Sequence, residues 1–168
     1  MAIPQFLVDL RAVVGNRPLW LSGVGAVIVG DDGRILLGQR VDDGRWSLIG
    51  GILDPGEQPA EGLVREVEEE AGVLVRPELL TSVTVSPVVS YPNGDCSQYL
   101  ELTFRCRVVS GEARVNDDES LDIRWFEPDA LPELEPRVLH RLTQALECKG
   151  ETAFVLDGQP AELVIGTG

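Results

Sequence analysis

From residue 4 to 14, apolar side chains fall at helical spacing, with Phe6, Leu7, Leu10, Val13 and Val14 on one side and Gly15 as a stop. The pattern then changes to strands. Val24 to Val29 and Arg34 to Gln39 flank Asp31-Asp32-Gly33, turn chemistry that predicts a hairpin. Trp46 to Ile49 reads as a short strand running into Gly50-Gly51. Pro59 to Ala71 returns to helical spacing, with Leu63, Val64 and Val67 as an apolar stripe. Pro59 sits near the first turn of that helix, and Gly72 stands where a left-handed cap belongs.

Farther along, Leu80 to Tyr91 and Gln98 to Val109 are predicted as two longer strands joined around Asn93-Gly94. In the second, Leu100, Leu102, Phe104, Cys106 and Val108 alternate with Tyr99, Glu101, Thr103, Arg105 and Arg107. That alternation predicts one buried and one polar face. An acidic loop, Asn116 to Ser120, precedes a strand from Leu121 to Phe126, and Pro128 to Leu131 makes a turn. A last helix is expected from about Arg137 to Cys148, with Val138, Leu139, Leu142, Ala145 and Leu146 inward. Residues 1–150 therefore read as a single α/β domain, a mixed sheet between helices. The tail, 151–168, has strand-like pieces at Ala153 to Leu156 and Leu163 to Ile165. It is open to three roles: an edge strand, a dimer contact, or a loose end.

Length and composition narrow the class. A chain of 168 residues buries about 70% of its unfolded surface, enough for a real core. A hydrophobic content of 43% argues against disorder, and no stretch approaches the ~20 apolar residues of a membrane span. The start, MAIPQFLVDLRAV, lacks a basic region and a cleavage site, so a cytoplasmic protein is expected. Cys96, Cys106 and Cys148 are odd in number and lack paired metal spacing, which reads as reduced thiols. A net charge of −14 disfavours a grip on long nucleic acid but leaves a small nucleotide open. Every basic residue except Lys149 is arginine, and no GxxxxGK pattern exists, which removes a P-loop. His140 is the only histidine, so a Ser-His-Asp or zinc-histidine site has little to stand on.

Charge is concentrated in residues 51–73, GILDPGEQPAEGLVREVEEEAGV, which hold seven acidic groups against one base, Arg65. Like charges packed this densely repel unless a cation sits among them. A hard divalent ion such as Mg²⁺ takes oxygen ligands and would relieve the repulsion. Glu66, Glu69 and Glu70 stand at i, i+3 and i+4, so a helix places them on one face. The bare backbone of Gly50-Gly51 just upstream can approach a ligand closely and offer it a carbonyl.

This segment resembles the Nudix box, G-x5-E-x7-R-E-U-x-E-E-x-G-U with U aliphatic. It matches at Gly51, Glu57, Arg65, Glu66, Val67, Glu69, Glu70, Gly72 and Val73. By ordinary composition the seven fixed positions would coincide by chance on the order of once in a hundred million starts. The likeness to bacterial Nudix hydrolases extends over roughly residues 4 to 148. It departs at Ile49, where many members carry proline, a change expected to alter loop stiffness rather than chemistry.

The resemblance implies an α/β/α sandwich and a Mg²⁺-dependent hydrolase, with Mn²⁺ as substitute. It implies Glu66, Glu69 and Glu70 as metal ligands, with the Gly50 carbonyl as a further one. Arg65 would orient neighbouring carboxylates, Glu57 or Glu69 foremost, and Glu57 would stabilise the turn from loop to helix. Glu66 is the first choice for general base, and Glu119 in the acidic loop is the alternative. Arg40 and Arg45, bracketing Asp42-Asp43-Gly44, are candidates for phosphate contact. Trp46 is a candidate for stacking as well as for the core, and Tyr91 and Tyr99 are weaker stacking candidates. The expected substrate is a nucleoside diphosphate derivative such as a nucleotide sugar or ADP-ribose. A housecleaning nucleoside triphosphatase is the rival enzyme, and a non-catalytic nucleotide sensor the rival of another kind. A homodimer is open.

Overall fold

The computed structural model describes residues 4–91, 93–156 and 159–160. Among them the order is α1 (Gln5–Val14), β1 (Leu19–Val29), β2 (Ile35–Arg40), β3 (Trp46–Ser47), α2 (Pro59–Ala71) and β4 (Val73–Val85). There follow β5 (Val89–Ser90), β6 (Cys96–Gly111), β7 (Ser120–Phe126), α3 (Pro136–Glu147), β8 (Ala153–Leu156) and β9 (Gln159–Pro160). The strands form a mixed sheet in the order β3-β2-β1-β6-β4-β8-β9, with β5 beside β6 and β7 beside β2.

Alternation along β1 assigns the layers. Val24, Ala26 and Ile28 pack with Leu63, Val67 and Ala71, so α2 covers that face of the sheet. The intervening Val27, with Ile35 and Leu37, packs on Leu142 and Ala145 of α3. Leu7 of α1 meets Leu21 and Ile52. Helices therefore lie on both faces, the α/β/α arrangement expected. Leu63 and Val67 are fully buried, each contributing about 1.5–3 kcal/mol.

α2 begins and ends where its sequence predicts. Pro59 occupies the first turn, and Gly72 adopts the left-handed conformation at φ 68°, its N–H bonding the Glu68 carbonyl at 3.0 Å. The strands differ more. β1 starts at Leu19 rather than Val24, because its parallel ladder with β6 carries Gly23 as an ordinary member; glycine reads in sequence as a strand end. β4 starts at Val73 rather than Leu80, and irregular register between Pro77 and Leu79 lets the proline sit inside the strand. The expected single strand from Leu80 to Tyr91 is broken after Val85 and resumes as β5, with Pro87 in the gap. The strand expected over Trp46 to Ile49 is regular only through Ser47. Ile49 and Ile52 make isolated bridges to Ala26 and Gly23 instead.

Part of the polar face of β6 is also not solvated as the alternation suggests. Glu101 and Thr103 are buried beneath α3, where Arg141 donates to Thr103. Of the tail, β8 runs parallel to β4, with Ala153 opposite Ser82 and Phe154 opposite Val83. Leu163 to Ile165 lie outside the described residues. Among the described residues no helix is long and apolar enough to cross a membrane.

Candidate active site

The loop from Leu48 to Leu53 is sewn to β1 where β2 diverges from it. The Val24 N–H donates to the Gly51 carbonyl at 2.9 Å, the Ala26 N–H to the Ile49 carbonyl at 2.8 Å, and the Leu53 N–H to the Ser22 carbonyl at 3.1 Å. Gly50 has φ 153°, and a Cβ there would lie 2.1 Å from the Val24 carbonyl oxygen. Only glycine fits that close approach. A Cβ at Gly51 would strike the Glu66 carboxylate at 2.3 Å, so Glu66 lies directly on the glycine pair.

Arg65 organises the carboxylates around it. Its Nε donates to Glu57 Oε1 at 2.8 Å and its Nη2 to Glu57 Oε2 at 3.0 Å. Its Nη1 donates to Glu66 Oε1 at 2.9 Å and to Glu69 Oε2 at 3.1 Å. Glu57 in turn accepts the Asp54 N–H at 3.1 Å, which fixes the turn leading into α2. Gly62 permits this packing, since a Cβ there would lie 2.6 Å from Glu57 Oε2. The Arg65 pair holds the Glu57 carboxyl below its ordinary range, while Glu57 and Glu66 raise the Arg65 guanidinium.

Glu70 faces the other way. It is 9% exposed and accepts the Gly50 N–H at 3.2 Å. Burial pushes its carboxyl up to about 8, with Glu66, Glu119 and Asp117 adding repulsion. Glu66 is raised by burial as well, against the pull of Arg65. Burial likewise raises Glu119, with Asp117 and Asp118 adding to it.

The acidic loop reaches this site through Asn116, which the sequence reading does not single out. Its Nδ2 donates to the Glu68 and Glu69 carbonyls at 3.0 and 3.2 Å, and its N–H to the Glu70 carbonyl at 3.1 Å. These bonds satisfy the open C-terminus of α2. An asparagine leading an acidic loop was the only signal available for it. On the far side, the Val41 N–H donates to the Glu119 carbonyl at 3.0 Å. Gly50, Glu70, Glu119 and Arg40 consequently line one cavity of about 210 Å³.

Arg45 and Trp46 open elsewhere, onto a cleft of about 970 Å³ that also includes Gln39, Leu134 and Arg137. Arg40 and Arg45 thus face different openings. Arg40 pairs with Asp42 and Asp43, and Arg45 with Glu135. Trp46 serves the core and the cleft together: it packs edge-on to Phe126, ring centroids 4.8 Å apart, and the Arg124 guanidinium lies 5.7 Å from its ring centroid. The Tyr91 and Tyr99 hydroxyls bond each other at 2.5 Å, and Tyr99 packs beside Leu21 and Ile52.

Among the described residues no three acidic, histidine or cysteine side chains converge as an ion-binding cluster. The reason is visible in the contacts: Glu66 and Glu69 lean onto Arg65, and Glu70 onto the loop. The donors nevertheless suit a hard divalent cation. All are oxygens, the carboxylates of Glu66, Glu69 and Glu70 and the carbonyl of Gly50, and burial raises the Glu70 carboxyl above its ordinary range.

Comparison with known proteins places the fold in a family. A family model described as the NUDIX domain matches residues 20–146. A MutT-like protein of Streptomyces ambofaciens is 36% identical over 145 residues, covering 86% of this chain and 88% of its own. The nucleoside triphosphatase NudI of Escherichia coli is 32% identical over 130 residues, covering 71% of this chain and 92% of its own. The solved structure of an ADP-ribose pyrophosphatase from Streptococcus suis superposes with TM-score 0.62 at 28% identity, covering 80% of this chain and 98% of that one. Members of this family generally use divalent metal ions. The chain belongs to the Nudix family, whose pyrophosphohydrolases act on phosphorus-containing acid anhydrides.

Proposed function

We propose that this protein is a Mg²⁺-dependent hydrolase that cleaves the diphosphate linkage of a nucleoside diphosphate derivative of nucleotide-sugar or ADP-ribose type. The observation that carries this is the Arg65 network, which gathers Glu57, Glu66 and Glu69 beside the glycine pair with Glu70 buried next to Gly50. The likeness to an ADP-ribose pyrophosphatase supports the substrate class.

Glu66, Glu69 and Glu70, with the Gly50 carbonyl, are assigned to hold the ion. When bound, such an ion neutralises the bridging oxygens, polarises the P–O bond and acidifies water. Glu66 is assigned as the general base, seated against Gly51 within the network. Glu119 is the alternative, since the fold brings it onto the cavity with Gly50 and Glu70. Arg65 and Glu57 keep the carboxylates and the loop in place through charge-assisted bonds. Arg40 lies on the small cavity as a phosphate contact. Arg45 and Trp46 lie on the cleft for the rest of the substrate. Residues 1–150 act as one domain, and three free thiols suit a cytoplasmic setting.

The second reading, a nucleoside triphosphate pyrophosphohydrolase, is favoured by the 32% identity to NudI. A panel of ADP-ribose, UDP-glucose and the nucleoside triphosphates, assayed with Mg²⁺ and after chelation, separates the two. Preferred turnover of the diphosphate derivatives supports the first reading, and preferred release of pyrophosphate from triphosphates replaces it with the second. Full activity after rigorous chelation would sink both metal-dependent forms.

A further inference from the structure

A second ion network, away from the box helix, reaches the large cleft through Arg137. Glu101 of β6 has a side chain only 11% exposed and lies between two arginines of α3. Arg137 Nη1 approaches it at 3.2 Å and Arg141 Nη1 at 3.5 Å. Arg141 Nε also donates to Thr103 Oγ1 at 2.8 Å. Gly25 makes room for this, since a Cβ there would stand 2.4 Å from Arg141 Nη2. Two guanidiniums share one carboxylate, so a positive charge is left over.

A structural role alone accounts poorly for the arrangement. α3 already docks through Val138, Leu142 and Ala145. A buried ion pair generally stabilises no better than apolar residues of the same volume. Arg141 is buried and committed to Thr103 and Glu101. Arg137 is not: its side chain is 40% exposed and lines the cleft beside Trp46 and Gln39. The other arginine of the cleft, Arg45, pairs with the exposed Glu135, whereas the partner of Arg137 is buried. Location fits a ligand as well. Glu101 pairs in register with Gly23, which bridges to Ile52 of the glycine loop. That sets the Glu101 backbone two strand spacings, about 10 Å, from the loop.

We propose that Arg137 is a substrate-contacting residue of the large cleft, donating to a phosphoryl oxygen on the nucleoside side of the diphosphate, and that Glu101 and Arg141 are positioning residues that aim it. A planar guanidinium braced on one side by a carboxylate keeps donors free on the other, the geometry suited to phosphoryl oxygens. This assignment rests on the diphosphate-hydrolase reading above.

The test uses the full chain with Arg137→Ala, Arg137→Lys, Glu101→Gln and the Arg137→Ala/Glu101→Gln double variant. Steady-state kinetics on ADP-ribose and UDP-glucose with Mg²⁺ are paired with calorimetric binding of the same compounds after chelation. Arg137→Ala is expected to raise KM about tenfold or more while kcat stays within about threefold, and to weaken binding after chelation in parallel. Arg137→Lys recovers part of the loss. Glu101→Gln raises KM less, and the double variant is no worse than Arg137→Ala alone, since Glu101 acts through Arg137. Unchanged KM and affinity in Arg137→Ala overturn the proposal, as do a fall confined to kcat or fully additive effects. Arg137 is exposed, so its variants fold and decide the matter even where Glu101→Gln does not. If wild type binds the compounds but cleaves neither, the hydrolase reading fails while the Arg137 binding arm stands. If wild type binds neither, the assignment of Arg137 falls as well.

Discussion

Arg65 holds Glu57 through two parallel hydrogen bonds, 2.8 and 3.0 Å long, across a gap of eight residues that spans the turn into α2. The same guanidinium restrains Glu66 and Glu69. One side chain thus ties the loop to the helix and sets where two candidate ligands rest. Arg65→Lys keeps the charge but loses the fork. It is expected to lower kcat/KM by about 10- to 100-fold, or ~1.4–2.7 kcal/mol, with the melting temperature shifted by only a few degrees. Wild-type kinetics in this variant would show that the fork has no catalytic consequence.

Glu69→Gln and Glu70→Gln each remove a charged oxygen donor without touching the packed stripe of Leu63, Val67 and Ala71. Turnover is expected to fall by about 10²-fold or more with the fold intact. Kinetics alongside circular dichroism check this. A variant with near-normal turnover strikes its residue from the metal site.

The competing bases separate by substitution. If Glu66 is both ligand and base, Glu66→Gln is at least as damaging as Glu70→Gln, while Glu119→Gln costs less than about tenfold. A Glu119 variant down about a thousandfold at unchanged metal affinity moves the base to the acidic loop, and the hydrolase assignment survives.

The buried Glu70 carboxyl makes metal-free stability depend on pH. Its native value is pushed up to about 8 from an ordinary 4.5, so the folded state binds a proton that the unfolded state gives up. The contribution is therefore full below pH about 4.5 and lost as pH rises through about 8. In chelator, the melting temperature is expected to decline across that window, more steeply in wild type than in Glu70→Gln. Mg²⁺ reverses the trend, because binding requires the ionised carboxylate, and its stabilising effect grows with pH. Melting curves from pH 5 to 9 with and without Mg²⁺ measure both, and parallel curves for wild type and variant would contradict the assignment.

The adjacent glycines are expected to fail differently. Gly50→Ala sets a Cβ against the Val24 backbone at positive φ, costing about 1–3 kcal/mol of stability as well as activity. Gly51→Ala meets the Glu66 carboxylate first, a side-chain group that must shift against its Arg65 bond rather than a fixed backbone. It should lose activity with little change in melting temperature. Equal destabilisation by both would contradict this picture of the loop.

Much of the site is written locally. The spacing of Leu63 and Val67, Pro59 in the first turn and Gly72 at the cap make α2 a helix, and its period alone sets Glu69 one turn from Arg65 and Glu70 one turn from Glu66. Long-range register was not legible in that way. Gly23 and Pro77 look like interruptions, yet they lie inside β1 and β4 because ladder pairing and a bulge override weak strand propensity. Glu101 and Thr103 read as a solvated face until α3 brings Arg141 to them. Asn116 becomes a positioning residue only when the chain returns, some forty residues after α2, to cap that helix and carry Glu119 to Gly50 and Glu70. The sequence by itself determined the helix, its cap and the order of its charges, because those depend on neighbours within one or two turns. Tertiary structure alone decided which distant polar groups meet, because pairing across the sheet, not spacing along the chain, sets which side chains share a buried space.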